Sequence, residues 1–442
     1  MTIKDFRGDV VSGANAEALA HFEKGLSDFH CYCGNPFEPL DAAIAASPDF
    51  AMAHVMRAHL FLSGMEAAGV APAREAIAAA ARHARSDREK LHVAAATALA
   101  DGRFDDAAER FEDILLAHPR DVLALQMGHL LDFYRGDARN LRDRVVRVTP
   151  AWSKDLPGWH ALLGMQAFGL EECGEYGRAE ELGREACALQ PRDAWAHHAV
   201  AHVMEMQGRV DEGIDWASSR VNDWAPDNMM AVHNWWHLAL YHLDREEIPT
   251  VLRLYDSQIR GGRSAVVLDM IDASAMLWRL HLRGVEIGQA RWDEIAETWA
   301  PLSHDGLYAF NDVHGLVSFL GAGRRDLVEQ QMATLHRTAR GQGSNAAMAA
   351  QVGLPVAEAL LAFSDGRYRQ TISWLRPVRS IAHRFGGSHA QRDLLDLTLI
   401  EAAHRAGDTA LVRALAAERL RAKPKSPLAQ AYRFAASQKA AA

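Results

Sequence analysis

Apolar residues along this chain recur at helical spacing. Ile271, Ala275, Trp278 and Leu282 share one face of a helix running from Asp269 to Leu282. The one apolar run that could open a strand, residues 264–268, leads directly into that helix, so no β-sheet is expected. Between the helical stretches a turn signal repeats. Gly102 in Asp101-Gly102-Arg103-Phe104 is followed by Gly136, by Gly174 in Cys173-Gly174-Glu175-Tyr176, and by Gly208, at separations of 34, 38 and 34 residues. That is close to the tetratricopeptide period of about 34. Pro119, Pro150, Pro191 and Pro226 each follow a second helix, where a residue without an N–H cannot extend it. The turn recurs at Gly366 and Gly407.

These patterns predict an all-α chain, an α-solenoid of tetratricopeptide-type helix-turn-helix repeats forming a right-handed superhelix curled around a central pocket. Regular repeats are expected over residues 1–224 and divergent ones over 225–421. A C-terminal helical tail is expected over 422–442, where Lys-Pro-Lys-Ser-Pro and a run of alanines stand.

The unusual polar positions lie on the predicted first helices of repeats. The stretch Ala194 to Gly208 ends at a turn glycine, and on it Trp195, His198, His202 and Glu205 are spaced 3, 4 and 3 residues apart, one stripe of a helix. By the usual geometry of these repeats the stripe faces the concave groove, while His197, Ala201 and Met204 pack on the companion helix. Burying two histidines and a glutamate without mutual hydrogen bonds or a ligand is costly, which favours a function for the stripe over inert packing. His233 and His237 sit one turn apart on a tryptophan-rich helix that includes Trp236, and Asp269 and Asp272 follow at similar spacing. The turn at His242 to Glu247 has no glycine, so the inward face of that helix is not fixed by the pattern. Further along come Asp312, His314, and Gly386-Gly387-Ser388-His389 with Arg392 and Asp393. Ser388 suits a helix N-cap, and the exposed N–H groups of that helix start, with Arg392 held by Asp393, would suit an anion.

Composition narrows the classes. A chain of 442 residues with a formal net charge of -9, both signs spread along it, argues against nucleic acid or anionic membrane as the main partner. Cys31, Cys33, Cys173 and Cys187 show no framework spacing and read as free thiols in a reducing compartment. The first residues carry Lys4, Asp5, Arg7 and Asp9 and lack the apolar core of a secretory signal. No run of about 18 or more residues is both free of charge and histidine and strongly apolar enough to cross a bilayer. A cytoplasmic location is expected.

The strings AHHAVAHVMEMQGR (196–209), HNWWHLALYHL (233–243), NDVHG (311–315) and GGSHAQRD (386–393) resemble signature segments of the tetratricopeptide repeat protein 38 family. The resemblance implies the repeat fold and a residue set, and no reaction. Three functional classes compete on these residues. The favoured one is an acid–base enzyme of hydrolase or lyase type acting on a small, polar, anionic molecule in the groove. Its expected catalytic groups are His198, His202, Glu205, His237, Asp272, Asp312 and His389, with Trp195, His233, Trp236, Asp269, His314, Ser388 and Arg392 binding substrate. The second is a divalent-metal hydrolase, with His198, His202 and either Glu205 or His237 as candidate ligands. Ala199 rules out the HExxH pattern, and no other cofactor is expected. The third is a scaffold holding a peptide or helix in the groove, the usual work of such repeats. Pairing of two chains is compatible with all three.

Overall fold

A computed structural model of the chain describes residues 3–441. The described chain is almost wholly helical, an array of tetratricopeptide-type helix pairs. The sheet-free expectation needs one correction. Ile3–Lys4 and Val10–Val11 form a short antiparallel ribbon, with Ile3 opposite Val11 and Lys4 opposite Val10. Its carboxylates explain it: Asp5 Oδ1 accepts from the backbone N–H groups of Arg7 and Asp9 at 3.0 Å each, tying the turn between the strands.

The turn glycines stand where the pattern places them. Gly102, Gly136, Gly174, Gly208, Gly366 and Gly407 all have φ between 64° and 79°. The backbone closes each turn in the same way. Arg103 N donates to Ala98 O at 2.9 Å and Gly102 N to Leu99 O at 3.0 Å, and Arg209 N donates to Met204 O at 2.8 Å with Gly208 N to Glu205 O at 3.0 Å. These paired bonds satisfy carbonyls that the end of the helix leaves over. The turn without a glycine uses the same closure. Glu246, at φ 60°, occupies the left-handed position, and Glu247 N donates to His242 O at 2.9 Å.

The described residues fall into two compact units, one of 3–200 with 221–231 and one of 201–220 with 232–441. The chain passes from one to the other within the helix Ala194–Met206.

In the first unit Asp87–Ala100 and Phe104–Ala117 form one pair and Trp159–Glu172 and Tyr176–Leu189 another. The first of these helices starts with a reciprocal cap between Ser86 and Glu89. Phe104, Phe111 and Phe168 are fully buried.

In the second unit the helices Ala231–Asp244, Val267–Leu282, Ala309–Ala322 and His389–Arg405 carry most of the buried polar side chains. Trp236, Trp278 and Tyr241 are fully buried among them. A side chain at Gly213 would collide with the Tyr241 ring, so a glycine there lets the helix Val210–Ser218 close on Ala231–Asp244. Trp278 Nε1 donates to Thr398 Oγ1 at 3.0 Å across 120 residues of chain, which locks Val267–Leu282 against His389–Arg405. The helix Pro427–Ala441, within the segment set apart in the sequence as a tail, packs on Thr409–Ala422, and Tyr432 Oη donates to Glu401 at 2.5 Å. One helical stretch, Ser344–Ser364, is long and apolar enough to cross a membrane, with a mean hydropathy of 1.6, and 61% of its apolar window is buried in the protein.

Candidate functional site

The second unit gathers the polar residues of four helices. His202 and Glu205 come from the end of Ala194–Met206, and His233 and His237 from Ala231–Asp244. Both pairs lie about one turn apart, which puts each pair on one helix face. The faces meet. His237 Nδ1 lies 3.1 Å from Glu205 Oε2, and the His202 and His237 rings are 4.5 Å apart at 60°. The His233 and His237 rings stand 4.9 Å apart at 89°, and a ring nitrogen from each of His202, His233 and His237 lies within 4.8 Å of the others. Behind His233, Asp272 Oδ2 lies 2.7 Å from Nδ1. His202 and Asp272 are entirely buried and His237 is 1% exposed.

Burial sets the charge states. It pushes His202 well below the ordinary histidine range, with His237, His233 and His389 adding to it and Glu205 opposing. His237 is lowered by burial and then by His233, Arg279 and Lys423. Asp272 is raised by burial, against the pull of His233. Asp269 is pushed up to about 6 by burial, with Asp272 adding to it and a Ser264 hydrogen bond opposing.

Arg279, on the Val267–Leu282 helix, is the residue that sequence reasoning missed. It is 2% exposed, and its guanidinium donates only to carbonyls: Ala275 O at 3.2 Å, Ala390 O at 2.6 Å and Gln391 O at 3.5 Å. Its charge lies over the Trp236 ring, 5.2 Å from the centroid. Among the described residues no carboxylate pairs with it directly, and Asp393, Glu205 and Asp272 act on it from a distance. Burial accordingly pushes the guanidinium below its usual value. Two further buried groups around it lack hydrogen bonds, Trp236 Nε1 and His314 Nε2. His314 Nδ1 lies 2.8 Å from Phe310 O, and burial, opposed by that hydrogen bond and aided by Arg279, lowers the ring to about 4. A signal for Arg279 existed. It stands seven residues after Asp272 on an otherwise apolar helix, hence on the same face.

The other sequence candidates divide. Trp195 and His198 belong to the first unit. There Trp195 stacks on Tyr32 at 5.6 Å and contacts Phe168 and His198 at ring distances of 4.9 and 5.1 Å, and it lines a small cavity with His30, Gln126, His129 and Asp193. His197, read as a packing residue, contacts Pro191 O through Nε2 at 2.8 Å. Asp312 faces the companion helix Arg325–Ala339, where Gln331 donates to it at 3.1 Å, and burial pushes it up to about 7. Ser388 is the N-cap the sequence indicates, its hydroxyl accepting from Gln391 N while Gln391 Oε1 accepts from Ser388 N. His389, half-buried at that helix start, is among the groups lowering His202, so the late turn does reach the histidine cluster within this unit.

Arg392 and Asp393 do not form the expected clamp. Arg392 donates to the carbonyl of Gly387, whereas Asp393 pairs with Arg419 at 2.6 and 2.8 Å. The physical reason is the helix: neighbouring residues point about 100° apart, so Asp393 meets the next helix instead of Arg392. Glu205 is likewise turned toward His237 and Lys423, whose Nζ is 3.6 Å away and 3.3 Å from Asp244.

Comparison with known proteins adds little to this geometry. No family model matches the chain. Among curated proteins, Cellulose synthase 1 operon protein C of Komagataeibacter xylinus is 26% identical over 111 residues, 25% of this chain and 8% of that protein. Cellulose synthase operon protein C of Komagataeibacter sucrofermentans is 28% identical over 106 residues, 24% of this chain and again 8% of that protein. The chain thus matches under a tenth of the length of these relatives. Among solved structures, human IFIT1 with a capped RNA has a TM-score of 0.40 at 12% identity, covering 96% of this chain and 95% of that one. The Cut9–Hcn1 assembly of the APC/C has a TM-score of 0.40 at 11% identity, covering 82% and 59%, and yeast Tom70 0.35 at 11%, covering 96% and 88%. None of these is a member of the tetratricopeptide repeat protein 38 family by name, so that resemblance stands on its motifs alone.

Proposed function

We propose that this helical-repeat protein is a binding protein, as helix-pair arrays usually are, and that the polar interior of the second unit is its recognition element for a carboxylate group. The observation that carries the reading is Arg279. A buried guanidinium without a counter-charge is expensive, because desolvation of the ion is offset only by carbonyl dipoles and the Trp236 face. A carboxylate supplies the missing charge and matches the fork of the guanidinium. One cation surrounded by histidines that burial holds neutral suits a monoanion better than a phosphate dianion. Trp236 Nε1 offers a further donor nearby.

A free carboxylate occurs both on small metabolites and at the end of a peptide, and the second source is the scaffold reading of the same site. Thermal-shift and calorimetric titrations with small mono- and dicarboxylates, inorganic phosphate, and short peptides with free or amidated C-termini separate them. Binding of carboxylates that is lost in Arg279→Gln is expected. If no member binds, or the Arg279→Gln variant binds equally, the recognition element lies elsewhere.

A second reading, acid–base catalysis on the bound molecule, is favoured by a separate observation. His233 and His237 each have a carboxylate behind Nδ1, the arrangement that orients an imidazole for proton transfer at its other nitrogen. Incubating the purified chain with pooled small carboxylates and following their masses tests it. A mass change lost in Asp272→Asn is expected, and no turnover by the wild type would reduce the site to binding alone.

A further inference from the structure

We propose that His202, His233 and His237 form a three-histidine site for a divalent first-row transition ion such as zinc, with Asp272 and Glu205 as positioning residues. The inference is independent of the carboxylate reading, since it rests on the histidines and their carboxylates and not on Arg279. It also differs from the sequence candidates, because His233 takes the place of His198 and Glu205 moves from ligand to support.

The geometry has three parts. One nitrogen from each ring lies within 4.8 Å of the others. Three nitrogens around a tetrahedral ion at about 2.0–2.1 Å stand about 3.3 Å apart, so small ring rotations close the set. The two histidines of Ala231–Asp244 are four residues apart, a spacing that lets one helix face give two ligands to one ion, and the third comes from a different helix.

The support behind the rings is the second part. Asp272 Oδ2 at 2.7 Å from His233 Nδ1, and Glu205 Oε2 at 3.1 Å from His237 Nδ1, fix each ring so that Nε2 is the nitrogen offered to a metal. Carboxylates in that position raise ligand basicity and hold ring orientation. A buried carboxylate–imidazole pair that only held the fold would need one histidine per carboxylate. Here two such pairs and His202 converge on one point, with ring centroids 4.5 and 4.9 Å from His237.

The third part is selectivity. An all-imidazole set suits zinc, copper, nickel or iron(II), and it disfavours the hard cations calcium and magnesium, which take oxygen ligands.

The test uses the full chain. It is purified without chelator and analysed for metals by elemental mass spectrometry, then stripped and titrated with Zn²⁺, and separately with Co²⁺ while visible d–d absorption is followed. One equivalent of Zn²⁺ and intense tetrahedral cobalt bands are expected. His233→Gln and His237→Gln should abolish both. Asp272→Asn should keep the cobalt bands and weaken affinity by about 10- to 100-fold. His314→Gln, a buried histidine outside the set, should bind like the wild type. The wild-type titration decides even if a variant fails to fold. No stoichiometric metal on the wild type, six-coordinate cobalt spectra, or equal loss in folded His314→Gln overturns the proposal.

Discussion

Each unit buries arginines, and Arg88 of the first and Arg279 of the second are treated in opposite ways. In the first unit Arg88, 3% exposed, has Asp5 at 3.1 Å and Asp9 and Asp121 at 3.3 Å. Asp121 also takes His92 at 2.9 Å, and His92 meets His59 at 3.1 Å, so the guanidinium charge is matched within the protein. In the second unit Arg279, 2% exposed, has carbonyls and an aromatic face and, among the described residues, no carboxylate partner. Burial raises Asp272, 2.7 Å from His233, and Asp269 on the same helix. In the first unit burial also pushes Asp121 up, but His92 and Arg88 outweigh it and hold it far below the usual range. Charge that is satisfied internally serves the fold. Charge left unmatched in a buried place is where an outside group gains most.

The largest effect expected from this contrast is on the arginines themselves. Arg88→Met leaves a cluster of carboxylates without their cation and should destabilise the first unit by about 3–5 kcal/mol. Arg279→Met should cost less than half of that and remove the response to carboxylates. Thermal unfolding of both variants, with and without added carboxylate, checks the pair. Similar losses would erase the distinction between a structural and a binding arginine.

Next in size is a pair of opposite pH responses. Asp121 has a lowered pKa in the folded chain, so its contribution is present above the unfolded value of about 4 and fades as pH falls below it. Asp121→Asn should therefore lose about 2–3 kcal/mol near pH 7 and progressively less in acid. Asp312, faced by Gln331, Asp305 and Arg337, is raised to about 7. For a raised carboxylate the stability is full below about pH 4 and is lost as pH rises toward about 7. Asp312→Asn should match the wild type at pH 4 and exceed it at pH 8 by about 2 kcal/mol. Urea midpoints across pH would show two crossing trends, and parallel trends would sink the contrast.

The smallest effect concerns the glycine-free turn at Glu246. Glu246 at φ 60° carries the left-handed cost of about 1–2 kcal/mol, while glycine would lose about 0.5–1 kcal/mol more entropy on folding. Glu246→Gly should gain about 0.5 kcal/mol, read as a rise in unfolding temperature.

The sequence by itself determined the helix pairs and where they turn. Gly102, Gly136, Gly174 and Gly208 stand in the left-handed region because a helix end needs a residue that tolerates it, and that requirement is local. It also put His202 with Glu205, and His233 with His237, on shared helix faces, since periodicity fixes a face within one helix. It could not say what lies opposite that face. The pairing of Asp393 with Arg419 and not Arg392, the turn of Asp312 toward Gln331, and the burial of Arg279 against Ala390, 111 residues away in sequence, were decided by packing between helices. A face is a property of a few neighbouring residues. A partner across it depends on how every intervening helix stacks, and no local spacing encodes that.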